Sequence, residues 1–436
     1  MRCSPVRRKE KAILSRSFTT GALIFLLSCF ACLLISLTPP AQFSSSARSV
    51  NLALVGARIY PAPEASVIAQ GVVLVKDDKI TEVGEKGRIK IPRGSTVIDC
   101  SGLTLTAGFW NNHVHFTDPR WADAAHLPSD KLARSLQNML TAYGFTSTFD
   151  TGSLFENTKA ISQRIEAGEI EGPKIFSTGP GLVPKDGTPF YLKPAVLPEA
   201  LTPEQAASLV REKIKGGADA IKIFTGPTPV EGGPPLTMPL ALVKAITGEA
   251  HRHGKLVFAH PEDDAGVNVA VDGGVDILAH TAPSGSPWNE SQISKMKQAR
   301  VALIPTLSLF TRLGRMRGMP PARLEKFIST PLQQLRAYSL AGGQILFGTD
   351  IGFIEDYDPT EEYLLMAQAG LSFRQILASL TTAPAKAFGA QNRTGRIAPG
   401  MDADIVILAG DPETDIKTLS NVKYTLRQGR IIYQSR

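Results

Sequence analysis

Cysteine is scarce in this chain and badly placed for cross-linking. Of four cysteines in 436 residues, Cys3, Cys29 and Cys32 fall near the N-terminus, which leaves Cys100 alone in the remainder. A single thiol excludes an internal disulfide there, and Cys100 reads as a small buried apolar residue. Basic blocks interleaved with aromatics are also missing, which argues against a nucleic-acid partner. The formal charge of +7 is local: Arg2, Arg7, Arg8, Lys9, Lys11 and Arg16 stand against Glu10, so residues 1–47 carry +5 and the rest only +2.

That basic stretch precedes an uncharged apolar run of 17 residues from Gly21 to Leu37, then Thr38-Pro39-Pro40 and a serine-rich segment. Residues 1–47 therefore read as an export signal cleaved after Ser45-Ser46-Ala47. The run is long for a signal core and approaches the roughly 20 residues of a membrane span, so an uncleaved anchor is the rival reading. Both put the remainder outside the cytoplasm, periplasmic or extracellular, with membrane contact only through that segment.

Beyond it, composition is that of a folded globular protein, and the pattern has two textures. Leu52–Tyr60, Gly71–Val75, Ile80–Val83 and Thr96–Ile98 are short β-branched runs parted by turn residues, and similar runs return at Asp404–Leu408, Lys423–Leu426 and Arg430–Tyr433. These flanks, residues 48–105 and 393–436, are expected to close on each other as a small β-sandwich. Between them, residues 106–392 alternate apolar runs with helix-length segments. The runs are Gly108–His115, Thr146–Asp150, Lys174–Thr178, Ala220–Phe224, Leu256–His260, Asp276–His280, Val301–Thr306 and Ile345–Asp350. Eight such alternations predict an α/β fold of the closed (β/α)8 TIM-like barrel type.

In such barrels chemistry sits at the C-terminal ends of the strands. Every candidate residue falls at or near one. His113 and His115 close the first run and, two apart on a strand, share a face, so both imidazoles can reach one metal ion. His260 and His280 end the fifth and sixth runs, where a buried histidine needs a partner. Asp350 ends the eighth and can hold a metal or accept a proton from metal-bound water; a helix cap is its plain alternative. Lys222 lies inside the apolar run Ala220-Ile221-Lys222-Ile223-Phe224. An ammonium there is costly unless paired, so two readings stand: a salt bridge to Asp350 or Asp219, or a lowered pKa that lets the amine take up carbon dioxide as a carbamate.

The order and context of these motifs resemble the amidohydrolase superfamily, in its imidazolonepropionase-like and Xaa-Pro-dipeptidase-like branch, from about Asn51 to Arg436. The matching stretches are Thr106–His115, Ala220–Ile223, His260, His280, Gly348-Thr349-Asp350, Thr382–Ala387 and Gly400–Asp404. The resemblance implies two divalent ions, taken as zinc, one on His113, His115 and Asp350 and one on His260 and His280. Carboxylated Lys222 and a hydroxide would bridge them, with Asp350 as the catalytic proton carrier. It implies hydrolysis of a C–N bond in a small amide, a dipeptide-like substrate or a cyclic amide. Two departures stand out. Asn112 occupies a position where many relatives have Asp, and His260-Pro261-Glu262-Asp263 lacks the His-x-x-Glu spacing of the one-metal deaminases. A one-metal deaminase or imidazolone-ring hydrolase is the alternative enzyme, and a silent ligand-binding barrel the alternative class. Loop residues are read as structural or solvated first: Glu355, Asp356, Asp358, Glu361 and Glu362 after the eighth run, His251 and His253 at a helix end, His126, and Arg312, Arg315 and Arg317, of which an arginine suits a substrate carboxylate.

Overall fold

The computed structural model describes residues 51–435. The proposed signal or anchor in residues 1–47 lies outside them; among the described residues no helix is long and apolar enough to cross a membrane.

Both flanks meet in one eight-stranded sheet. Its main path runs Arg430–Gln434, Val422–Arg427, Ile405–Ala409, Leu103–Ala107, Asn51–Ile59, Ile68–Lys76, Lys79–Glu85. It forks at Asn51–Ile59, whose first half pairs in parallel with Thr96–Asp99 and whose last residues pair with Leu103–Ala107. The expected sandwich is thus a single hydrogen-bonded sheet with a forked strand, and its arms share one core of Leu54, Val73, Leu105, Ile405, Ile407, Leu426 and Cys100. Cys100 is fully buried, as its apolar surroundings predict. Asp402 explains part of the Gly400–Asp404 motif: it pairs with Lys79 and with Arg393 (2.8 Å), while the Asp404 carbonyl receives the Gly108 N–H where the chain leaves the sheet for the barrel.

The middle of the chain is the (β/α)8 barrel. Parallel strands Phe109–Val114, Phe145–Asp150 and Lys174–Ser177 form one arc, and Ile221–Phe224, Val257–His260, Ile277–Leu278 and Ala302–Leu303 a second. Their side chains are almost wholly buried, which is why these runs lack a polar face. Parallel bridges close the ring: Leu182 to Ile223 joins the arcs on one side, and segment 345–351 joins them on the other through Leu303–Ile345 and Val114–Ile351. That segment is the expected eighth strand, but it forms bridges rather than a regular ladder. Its last turn is bent because Asp350 adopts a left-handed backbone, φ 62°.

Helices cover the barrel where the sequence signals them. Pro203–Gly216 shows the logic: Thr202 Oγ1 accepts the Gln205 N–H, Pro203 opens the first turn, and Gly217 ends it at φ 104°. Between the first and second strands the helix Ser129–Met139 gives way to a 3-10 turn at Thr141–Tyr143.

Candidate metal centre

Four of the chain's seven histidines converge at the C-terminal end of the barrel with Asp350. The backbone does the positioning. The Asp350 N–H donates to the His113 carbonyl and the His115 N–H to the Ile351 carbonyl, each at 2.8 Å, so the first strand and the eighth segment hold both histidines against the aspartate. Two glycines permit this approach. A Cβ on Gly348 would stand 2.9 Å from His113 Cβ, and one on Gly352, at φ 92°, would lie 1.7 Å from the His115 carbonyl oxygen. Asn112 is buried and donates its Nδ2 to the Phe347 carbonyl at 2.7 Å. An aspartate could not make that bond, so here the departure from the family pattern has a structural use.

Ligating atoms of His113, His280 and Asp350 all lie within 4.8 Å of one another. Asp350 Oδ1 is 2.9 Å from His115 Nε2 and 3.4 Å from His113 Nε2, and its Oδ2 is 3.8 Å from His280 Nε2. Neither Oδ1 contact is aligned as a hydrogen bond, and Asp350 Oδ1 and His113 Nδ1 remain buried without a partner. Asp350 Oδ1, set between two imidazole nitrogens without an aligned bond to either, fits a shared cation. The tight triad draws one member, His280, from the pair assigned by sequence to the second ion. His260 packs beside it, ring centroids 4.5 Å apart, with Phe224 on its other flank at 4.9 Å.

The Thr306 hydroxyl meets His280 Nδ1 at 2.7 Å and the Pro305 carbonyl at 2.9 Å, so its single proton has two acceptors in reach. Donated to the carbonyl, it leaves the hydroxyl to accept from Nδ1 and the Nε2 lone pair to face Asp350, the tautomer a metal ligand needs. Thr306 is itself strained, φ 47°, at the start of helix Leu307–Met316. Glu362 anchors that start by accepting the Leu307 and Ser308 N–H groups at 3.0 and 2.7 Å. The sequence reading gives Glu362 to the first turn of its own helix, Thr360–Gln368. It does lie there, but fully buried with its carboxylate serving a different helix, and burial raises its pKa to about 7 despite those two bonds. Neither this support nor that of Thr306 has a signature in local spacing.

Burial lowers the pKa values of His113, His280 and His260, which favours the neutral, ligating form of each. Burial pushes Asp350 the other way, but His113, His115 and Lys222 outweigh it and hold the carboxylate well below its usual range. Lys222 is 1% exposed and, among the described residues, has no carboxylate within 4.0 Å. The salt bridges expected with Asp350 or Asp219 do not form; Asp219 instead accepts the Ser177 N–H. Burial lowers the Lys222 pKa to about 7, partly offset by Asp350, so the amine is substantially neutral near neutrality.

The loop residues sort clearly. Arg312 is buried and donates to the Asp356 and Asp358 carbonyls at 2.6 and 2.5 Å, so it ties down the loop after the eighth segment rather than facing solvent or a substrate. Arg315 pairs with Glu361 at 2.7 Å. His126 is exposed and paired with Asp123, while His251 and His253 bond Asp276 and Glu249. Sequence spacing missed Glu262: its Oε2 reaches to 3.8 Å from His260 Nε2 although it follows that histidine by only two positions.

Residues 104–432 match the family model described as Amidohydrolase family. The chain is similar to ochratoxinase of Aspergillus niger, 27% identical over 362 residues that make up 73% of each protein. Among solved structures it is similar to a Xaa-Pro dipeptidase with methionine bound in the active site, TM-score 0.76 at 21% identity, over 88% of this chain and 100% of that one. It is also similar to the structure of A. niger ochratoxinase, TM-score 0.74 at 22% identity, over 88% and 96%. The chain belongs to the amidohydrolase family, whose members here are hydrolases acting on carbon–nitrogen bonds.

Proposed function

We propose that this chain is an exported, metal-dependent hydrolase that cleaves the amide bond of a small substrate, such as a dipeptide, an N-acyl amino acid or a cyclic amide, at a two-metal centre. His113, His115 and Asp350 would hold one ion and His260 and His280 the other, with carboxylated Lys222 between them and zinc as the metal. The observation that carries the reading is the convergence of His113, His280 and Asp350 within 4.8 Å, together with a buried lysine, Lys222, that has no acidic partner within 4.0 Å among the described residues. Family membership and the dipeptidase and ochratoxinase relatives support amide chemistry; the N-terminal segment supports export.

Bound divalent ions would supply Lewis acidity, polarising the carbonyl and acidifying water. The protein's own residues do the rest. Water adds to the carbonyl carbon, the C–N bond breaks, and Asp350 takes the proton from the water and gives it to the departing nitrogen. Thr306 and Asn112 keep the ligands in place, and neutral Lys222 is the group open to carboxylation.

A one-metal reading also has an observation in its favour, because the most compact ligand group is a single triad. Metal stoichiometry separates the two. Protein beginning at Arg48, prepared with zinc and bicarbonate, is expected to bind about two ions per chain and Lys222→Ala about one or fewer. One ion unchanged by the substitution would replace the two-metal centre with the single-ion site.

A further inference from the structure

Glu262 is an acidic group at the edge of the candidate centre whose job the reaction above leaves open. It follows His260 beyond the end of the fifth barrel strand, and its side chain is 27% exposed against 14% for His260. The Ser284 hydroxyl donates to Oε1 at 2.9 Å, which turns Oε2 toward His260 Nε2 at 3.8 Å. Among the described residues it has no arginine or lysine within 4.0 Å. In the loop after the eighth segment, by contrast, Glu361 is held by Arg315 and Arg312, and Asp356 by Arg312. A carboxylate held in one orientation, partly desolvated and without a cation is a receptor for one.

Tyr191 completes the setting. It stands at the same end of the barrel, against Phe353, whose N–H donates to the Asp350 carbonyl at 3.3 Å. The ring stands edge-on to Phe353 at 5.3 Å and to Phe190 at 5.4 Å, a partly exposed aromatic shelf. Such a shelf suits an apolar side chain, and a ring face attracts an ammonium.

We propose that Glu262 is a specificity residue that binds a protonated amine on the acyl half of the substrate, so that the site prefers amides of α-amino acids to N-acyl compounds lacking the amine. This rests on the hydrolytic reading above. An α-ammonium lies two bonds from the carbonyl carbon under attack. A carbonyl drawn to the His260 side therefore carries its ammonium to Glu262 and leaves the side chain on Tyr191 and Phe353. The amine stays protonated throughout, and Glu262 exchanges no proton with it.

The test uses a matched pair on the zinc- and bicarbonate-loaded protein: L-leucyl-L-phenylalanine and its desamino counterpart, 4-methylpentanoyl-L-phenylalanine. Wild type is expected to favour the amine by about 10- to 100-fold in kcat/KM, chiefly through KM, as one charge-assisted bond implies. In Glu262→Gln, which keeps an acceptor for Ser284, that ratio should collapse toward one at equal metal content. A ratio near one in wild type, a ratio retained in the variant, or an equal loss on both substrates would overturn the proposal. If neither compound is cleaved, calorimetric binding of L-leucinamide against 4-methylpentanamide decides it. Preference for the amine lost in the variant upholds Glu262 while counting against hydrolysis of such amides, and equal binding overturns Glu262 itself.

Discussion

The two sides of the candidate centre are built differently. His113, His115 and Asp350 sit where the first strand and the eighth segment exchange backbone hydrogen bonds, and the His113 and Asp350 side chains are 1% and 6% exposed. His260 and Glu262 sit at the end of one strand and the loop beyond it, held by the Phe224 ring and one serine hydroxyl; Glu262, 27% exposed, is the open member, while His260 at 14% is about as covered as His115 at 16%. The closed side has the rigidity that placing a nucleophile and moving a proton require. The open side has access to solvent and to loop residues, which suits recognition. The difference teaches where to expect all-or-none effects and where graded ones.

Asp350→Asn should break the closed side most completely. Asparagine tolerates the left-handed backbone at this position and preserves volume, so the barrel should fold. Loss of the proton carrier is expected to cost about 10²- to 10⁴-fold in turnover, read as kcat at fixed metal content, with little change in the melting temperature. Activity within a few-fold of wild type would move the proton transfer to another group. Thr306→Val comes next, because it keeps the β-branched shape and removes the hydroxyl that meets His280 Nδ1 and the Pro305 carbonyl. Zinc affinity should fall about 10- to 100-fold by competition with a chelator, as for other supporting residues of metal sites. Unchanged affinity would show that packing alone, not the tautomer, orients the ring.

Both substitutions also mark the limit of what sequence could supply. Period and run length give the alternating barrel and the terminal strands because continuous apolar runs are what doubly buried parallel strands require. His113, His115, Lys222, His260, His280 and Asp350 are legible because polar residues at the ends of such runs must be satisfied by something. The partners that satisfy them are not legible. Thr306, Glu362 and Ser284 act from 26, 55 and 22 residues away from their targets, distances set by the closing of the ring and by no local period. The fork in the terminal sheet escapes for a similar reason: its first strand changes partners part-way along, which a run of alternating residues does not encode.

The smallest expected effect lies between the two sides, at Lys222. Carboxylation needs the neutral amine, and the buried amine titrates at about 7, whereas an unfolded lysine remains charged to about 10.4. A folded pKa lowered in this way means the native state releases the proton first, so neutral Lys222 accumulates as pH rises through about 7. Initial rates of activity recovery, when metal-free protein is given zinc and bicarbonate, should therefore climb about tenfold or less between about pH 6 and about pH 8, tracking the neutral fraction. Holding dissolved carbon dioxide constant separates this from the bicarbonate equilibrium. A rate flat across that window would mean the lysine is already neutral or takes no part. In the second case the two sides of the centre would have to be joined by something other than a carbamate.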